Sequence, residues 1–278
     1  MNPTLRPFLI FIRRPEFASS APGRLRLWQW LGWQGLLLLA LLLGGVFDQI
    51  LRHVFHWPAY SAWLGVFAHP SWGAAVILLA APALEELGFR AFLTAVPKLV
   101  FTGLAFFTAY VYIFIQNDLT PRAFPISSAS ALSRYLHAFR VILPAAGISL
   151  LLYRYRRDAI MAFFRRRASW VFWTSCIVFG AGHNRLYSSS FEWWSYALVM
   201  PQFLAGVGLA YLRASFGLRW SVASHYAIDI PLVLLVWCYS SPAPSALLRG
   251  MSVTLTVALL ATIAYGLVVL WRVMRLRC

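Results

Sequence analysis

Long apolar runs separated by polar loops dominate the pattern of this chain. Eight of the runs are long enough, or nearly long enough, to cross a bilayer as helices, because a spanning helix needs about 20 apolar residues. The pattern therefore predicts an all-α, polytopic transmembrane helical bundle of about eight spans. The runs cover residues 28–47, 72–96, 99–116, 136–153, 168–183, 193–212, 218–238 and 250–271.

The composition favours the same class. Of the 278 residues, 61% are hydrophobic, 17% aromatic and only 12% charged, a mixture that one soluble core cannot accommodate. A count of six or seven spans stays open, because the run 99–116 is short and the run 136–153 carries His137 and Arg140 near one end. The chain has no repeat of useful period, so residues 28–271 are predicted to form a single transmembrane domain.

Both ends of the chain are basic. Residues 1–27 lack the small-residue cleavage site of a signal peptide, so we expect them to stay attached. Two interpretations of residues 4–13 stay open: an interfacial segment lying against the inner leaflet, or a disordered leader. Residues 272–278 are predicted to be a basic cytoplasmic tail.

The formal net charge of +16 is unevenly distributed along the chain. In the eight-span interpretation most arginines lie in every second loop, which is the positive-inside pattern and predicts that both termini are cytoplasmic. Such loops attract anionic lipid headgroups, so we expect membrane lipids as partners and no nucleic acid. These arginines are Arg6, Arg13, Arg14, Arg24, Arg26, Arg154, Arg156, Arg157, Arg165, Arg166, Arg167, Arg213, Arg219, Arg272, Arg275 and Arg277.

Three charged residues interrupt the apolar run 72–96. Glu86 and Arg90 are four positions apart and can pair on one helix face, whereas Glu85 points about 100° away and has no local partner. A buried ion pair could simply fix helix packing. A charge at the bilayer centre costs about 2.5–3.5 kcal/mol on insertion scales, so the additional carboxylate of Glu85 indicates a functional site.

Two other polar pairs have helical spacing. Phe179 and His183 lie near the end of one predicted span, and His225 and Asp229 lie within another. A lone histidine near a membrane interface usually serves packing or hydrogen bonding, which stays open for His183. Asp229 gives His225 a second ionisable group on the same face, and a carboxylate beside an imidazole fixes its tautomer.

The three sets of residues together resemble the motifs of a known family. Glu85-Glu86-Leu-Gly-Phe-Arg90, Phe179-Gly-Ala-Gly-His183 and His225-Tyr-Ala-Ile-Asp229 are similar to the EExxxR, FxxxH and HxxxN/D motifs of the CPBP, or Abi, family. That family comprises glutamic-type intramembrane endopeptidases, including the CAAX prenyl endopeptidase and bacteriocin-associated enzymes. The resemblance covers residues 72–238.

The resemblance implies a role for each motif residue. Glu85 would activate a water molecule, and His183 would help to hold and deprotonate it. His225 would polarise the scissile carbonyl and stabilise the oxyanion, aided by residue 229. Glu86 and Arg90 would support the site through their ion pair, with Phe179 as a further supporting residue. The family is generally regarded as metal-independent, so no metal or other cofactor is expected.

Two features depart from the family pattern. Position 229 is more often Asn, whose amide donates to an oxyanion, whereas an ionised Asp cannot donate. We therefore expect Asp229 to orient or charge His225. Glu85 and His183 are also 98 positions apart, farther than is usual, which predicts an inserted pair of helices at about 99–153. An even number of added spans leaves the orientation of the His183 helix unchanged.

Two other functions stay open. Glu85, His183, His225 and Asp229 could supply the mixed ligands of a zinc site in a metal-dependent peptidase, although the chain has no HExxH pair. Alternatively, a transporter or scaffold could use the buried Glu, His and Arg residues as a proton relay or as packing ion pairs. The second alternative gains weight because helix counting puts His183 nearer the outer end of its span than Glu85 or His225.

The substrate is predicted only as a class. The resemblance implies a membrane-anchored or C-terminally apolar protein, either a prenylated tail or a sorting-type anchor. The outer position of His183 favours a site that faces outward. We expect an integral, multi-pass protein of a prokaryotic inner membrane.

Overall fold

Helices make up nearly all of the described structure. The computed structural model describes residues 5–15, 17, 27–56, 72–118, 128–184, 193–240 and 245–275. No strand occurs among these residues, which confirms the all-α class. In chain order the elements are α1 (Leu5–Arg13), α2 (Leu27–Phe55), α3 (Trp72–Phe89), α4 (Pro97–Asp118), α5 (Ser128–Arg166), α6 (Ala168–Ala181), a 3-10 helix (Trp193–Val199), α7 (Met200–Phe216), α8 (Leu218–Ser240) and α9 (Ala246–Arg275).

Several of the helices have the length and apolarity of membrane spans. Within the described ranges there are four such segments: Leu27–Phe55, Ser195–Phe216, Leu218–Tyr239 and Ala246–Val269. Helix α6 is apolar but shorter. Large apolar side chains such as Leu43 and Val257 are exposed on the outside of the bundle, where lipid would cover them. The chain is therefore a helical membrane protein.

Helix α7 lies at the centre of the bundle. It packs against α2, α6 and α8, while α3 packs against α8 and α4 against α5. Close helix contacts depend on small residues, as is usual between membrane helices. Where α2 crosses α9, a Cβ added to Gly35 would lie 2.1 Å from the carbonyl oxygen of Thr262 and 2.8 Å from Cα of Gly266.

Helix α3 ends inside the bundle. The apolar run 72–96 predicts one continuous helix, but the helix ends at Phe89 and residues 90–96 form an irregular turn, of which residues 90–94 are buried. Irregular backbone at this depth requires internal hydrogen-bond partners. Ser175 donates to the carbonyl of Phe89, and Arg213 donates through Nε to Arg90 O (2.9 Å) and through Nη2 to Ala91 O (3.0 Å).

The turn after α3 is covered by two elements. The aromatic side chains of α1 enter the bundle: the ring centre of Phe8 is 5.2 Å from that of Trp33, and Phe11 is 5.1 Å from Phe172. Phe164 of α5 lies against Phe92 of the turn, at 6.0 Å. The described residues of the N-terminal segment thus form a helix whose aromatic side chains pack against the bundle.

Candidate active site

The structure brings the four predicted catalytic residues together from three helices. Oε2 of Glu85, on α3, lies 3.8 Å from Nε2 of His183 and 3.7 Å from Nε2 of His225. His183 directly follows α6, and His225 belongs to α8. Oδ2 of Asp229, one turn further along α8, lies 3.6 Å from Nε2 of His225. One carboxylate is therefore flanked by two imidazoles.

His183 reaches this cluster because α6 is short. The helix ends at Ala181, and Gly182 begins the turn in which the His183 N–H bonds to Gly180 O at 3.0 Å. His183 therefore lies within ion-pair distance of Glu85 despite its position near the end of the predicted span. Its Nδ1 lies 2.7 Å from Phe179 O. A carbonyl oxygen only accepts, so Nδ1 carries the proton and a neutral ring presents the lone pair of Nε2 to Glu85.

The second carboxylate, Glu86, holds His225. Its Oε1 lies 2.9 Å from Nδ1 of His225, and its Oε2 accepts a hydrogen bond from Ser221. Asp229, which the sequence predicts to orient or charge His225, faces Nε2 of this ring, and Glu86 is the nearer carboxylate. With Nδ1 donating to Glu86, Nε2 of His225 is left to face Glu85 and Asp229.

Glu86 also forms the predicted ion pair with Arg90, whose Nη1 lies 3.1 Å from Oε1. The N–H bonds of Arg90 are not aligned with this carboxylate as in a hydrogen bond, so the contact is mainly between charges. The guanidinium instead lies over the ring of Phe179, with Cζ 3.8 Å from the ring centre. Cation–π attraction is strong when the groups are desolvated, so Phe179 supports the buried charge.

Phe179 is the packing centre of the site. Its ring centre is 4.6 Å from that of His183 and 6.0 Å from that of His225. Helix α7 backs this cluster through Gly206, where an added Cβ would lie 2.9 Å from Cδ1 of Phe179 and 3.3 Å from Nη2 of Arg90. A glycine at this position therefore allows α7 to support both side chains.

The two glutamates differ in accessibility. The Glu86 side chain is 0% exposed, whereas those of Glu85 and Asp229 are 14% and 19% exposed. Glu86 thus belongs to the buried framework, with a cation and two hydrogen-bond donors beside it. Glu85 and Asp229 are the partly exposed carboxylates of the site.

Comparisons with known proteins were made with family models, with curated proteins and with solved structures. None found a match. The geometry of the site is therefore the basis for a functional proposal.

The zinc site that the sequence left open would use Glu85, His183, His225 and Asp229 as ligands. Across the parts of the chain that the structure describes, no group of three or more His, Cys, Asp or Glu side chains is arranged to hold a metal ion. Nδ1 of His183 contacts a backbone carbonyl and Nδ1 of His225 contacts Glu86, so Nε2 is the nitrogen of each ring that remains for another partner, as it is in rings that bind metals.

Sequence reasoning missed several supporting residues. Ser221 lies four positions before His225, and this spacing was the available signal for a shared helix face. Arg213 was assigned to a basic loop, but it is buried at 4% exposure and caps the end of α3. Ser175 and Gly206 carry no charge or motif, so nothing in the linear pattern distinguishes them from other small residues of apolar helices.

Proposed function

We propose that this protein is an intramembrane endopeptidase of the CPBP type. It hydrolyses a peptide bond in the C-terminal region of a lipidated or membrane-anchored protein, using water activated by Glu and His. The observation that carries the proposal is the position of the Glu85 carboxylate, 3.8 Å from Nε2 of His183 and 3.7 Å from Nε2 of His225. Such separations are too long for direct hydrogen bonds and suit a shared reacting molecule.

Glu85 and His183 form the base in this mechanism. A water molecule hydrogen bonded to Oε2 of Glu85 and to Nε2 of His183 is oriented for attack, and Glu85 accepts its proton as the new C–O bond forms. The proton is then delivered to the leaving amine when the peptide bond breaks. A positioned general base typically contributes a factor of about 10²–10⁴ to the rate.

His225 acts on the other side of the scissile carbonyl. In the imidazolium form both ring nitrogens donate, and Glu86 accepts the bond from Nδ1, at 2.9 Å. Nε2–H is then available for the oxyanion that develops in the transition state. One such donor is typically worth about 3 kcal/mol of barrier. Asp229, 3.6 Å from Nε2, holds the ring in place before substrate binds.

The proposal extends to the membrane arrangement. The chain forms about eight spans with both termini cytoplasmic, in a prokaryotic inner membrane. The apolar tail of the substrate enters laterally between helices, so that its peptide bond reaches the accessible carboxylates Glu85 and Asp229. A prenylated tail and a sorting-type anchor are both compatible with this route.

The decisive experiment maps protein C-termini in membranes from native cells. Cells carrying the wild-type protein are compared with cells carrying Glu85→Gln at equal expression, and Asp158→Asn serves as a control because Asp158 is an exposed carboxylate outside the site. We expect a discrete set of tails to stay uncut with Glu85→Gln, and also with His183→Ala and His225→Ala. The Asp158→Asn cells should match the wild type.

Each other outcome points elsewhere. Full cleavage by Glu85→Gln would remove the proposed base. An unchanged set of tails in every strain, with substrate coverage confirmed, would favour a transporter or scaffold. If the mapping identifies a cut tail, purified protein is assayed on that tail with and without a chelator. Loss of cleavage that added zinc restores would favour the metal-dependent alternative.

A further inference from the structure

The C-terminal part of α5 is a bent, basic segment that leads into α6. The backbone of Arg156 departs from helical geometry, with φ −134° and ψ 16°, and Arg167 is again non-helical before α6 begins. Residues 154–167 are called here the basic elbow. The elbow contains six arginines and a single acidic residue, Asp158. The arginines are Arg154, Arg156, Arg157, Arg165, Arg166 and Arg167.

One face of the elbow is fixed to the bundle. Met161 is 4% exposed and Phe164 is 6% exposed, and both belong to the buried cluster that contains Phe92 and Phe172. The elbow is therefore an ordered part of the fold, and its position relative to the spans is set by core packing.

The exposed surface of the elbow is basic and aromatic. All six arginines are exposed, and none has a carboxylate partner among the residues that the structure describes. Tyr155 and Phe163 are exposed within the elbow, and Trp170 is exposed three residues beyond it. Such a mixture of guanidinium groups and aromatic rings suits the level of lipid headgroups, where rings lie between water and hydrocarbon.

The neighbouring surface indicates where the elbow lies relative to the bilayer. Leu150 and Leu151, which immediately precede it on α5, are large exposed apolar side chains. The lipid-facing surface of the bundle therefore continues directly into the cluster of arginines. This continuity favours a membrane surface over a polynucleotide as the partner of the elbow.

We propose that the basic elbow is a binding surface for anionic phospholipid headgroups. Guanidinium groups bind phosphate oxygens in a bidentate manner, and each basic residue near an anionic membrane surface strengthens binding. The aromatic rings of Tyr155, Phe163 and Trp170 insert beside the glycerol region. This inference is independent of the proposed peptidase activity.

The test measures lipid retention by native mass spectrometry of the full-length protein in neutral micelles. Phosphatidylglycerol or phosphatidylcholine is titrated into the wild type and into a variant with Arg154, Arg157, Arg165 and Arg166 changed to Gln. We expect the wild type to retain phosphatidylglycerol in preference to phosphatidylcholine. The variant should lose about tenfold or more of its phosphatidylglycerol affinity.

A matched control removes the same charge elsewhere. For the two-arginine change Arg165/Arg166→Gln the control is Arg140/Arg249→Gln, because both of these arginines are exposed and lie outside the elbow and outside the basic loops. This control should leave phosphatidylglycerol binding close to that of the wild type. Thermal unfolding in neutral micelles checks that each variant is folded. If the elbow variant does not fold, Arg154/Arg157→Gln and Arg165/Arg166→Gln are tested separately, and each should weaken binding about fivefold or more.

Three results would overturn the proposal. Equal loss of binding in the elbow and control variants would indicate an effect of total charge. Displacement of phosphatidylglycerol by inorganic phosphate at an equal concentration would indicate a site for free phosphate. Elbow-dependent binding of a single-stranded oligonucleotide, without preference between the two lipids, would indicate a polynucleotide surface.

Discussion

Two adjacent glutamates have different environments because they lie on different faces of α3. Successive helical residues are about 100° apart, so Glu86 faces Arg90, Ser221 and His225, while Glu85 faces the accessible side of the site. Three partners compensate the desolvation of Glu86. A buried carboxylate with such partners stabilises the fold, whereas a carboxylate between two imidazoles can exchange a proton with a bound molecule.

Changing Glu86 to Gln should destabilise the protein more than changing Glu85 to Gln. The first change leaves the buried Arg90 without its counter-charge, which typically costs about 3–5 kcal/mol. The second removes a partly accessible charge whose partners at ion-pair distance, among the residues that the structure describes, are the two histidines. Thermal unfolding of both variants in micelles makes the comparison. Similar unfolding temperatures would show that Glu86 does not compensate Arg90.

Asp229→Asn should retain cleavage within about tenfold of the wild type, because an amide can replace a carboxylate that lies beside the ring. Nδ1 of His225 remains bonded to Glu86 in this variant. Cleavage rates are measured on one identified tail, with Asp229→Ala as the comparison that removes the polar group. Complete inactivity of a folded Asp229→Asn protein would mean that the negative charge itself is required.

The lengths and ends of helices decide which residues meet. Helix α6 spans only Ala168–Ala181, which brings His183 to the level of Glu85. Helix α3 ends at Phe89, and side chains from α6 and α7 satisfy the carbonyls beyond it. The last turn of α3, which carries both glutamates, is thereby held from outside its own helix.

Gly206→Ala should destabilise the site that α7 supports. The new methyl group would lie 2.9 Å from Phe179 and 3.3 Å from Arg90, and overpacking of this kind typically costs about 1–3 kcal/mol. Gly147→Ala is the control, since no atom lies within 4 Å of its added Cβ. The control should be neutral or stabilising by about 0.5–1 kcal/mol, since Ala favours helix over Gly. Equal unfolding temperatures for the two variants would contradict a tight contact at Gly206.

The bundle has apolar, lipid-facing surfaces on its outside and the irregular turn after α3 in its interior. The turn after α3 belongs to a buried cluster with residues of α4, α5, α6 and α7, and partly buried residues of α1 pack against this cluster. These residues lie far apart in the sequence. Their packing explains how an irregular segment can lie within a membrane bundle without exposing its backbone to lipid.

Both termini should be found on the cytoplasmic side, together with the basic elbow. The expectation follows from the distribution of arginines in alternate loops. Single cysteines, introduced at residue 2 or at residue 166 or kept as the natural Cys278, are tested in chains whose other cysteines are replaced. An impermeant thiol reagent is applied to intact cells and to inverted vesicles. Labelling of all three only in inverted vesicles is expected. Labelling of one end in intact cells would require an odd number of spans.

The sequence alone determined the all-α membrane class and the Glu86–Arg90 pair, because hydropathy and spacing along one helix depend on local geometry. Tertiary structure alone decided the end of α3 at Phe89 and the burial of Arg213. It also decided that Nδ1 of His225 contacts Glu86 and not Asp229, although Glu86 and His225 are 139 positions apart. Contacts at such separations follow from how helices pack and where they end, and no periodic pattern along the chain encodes them.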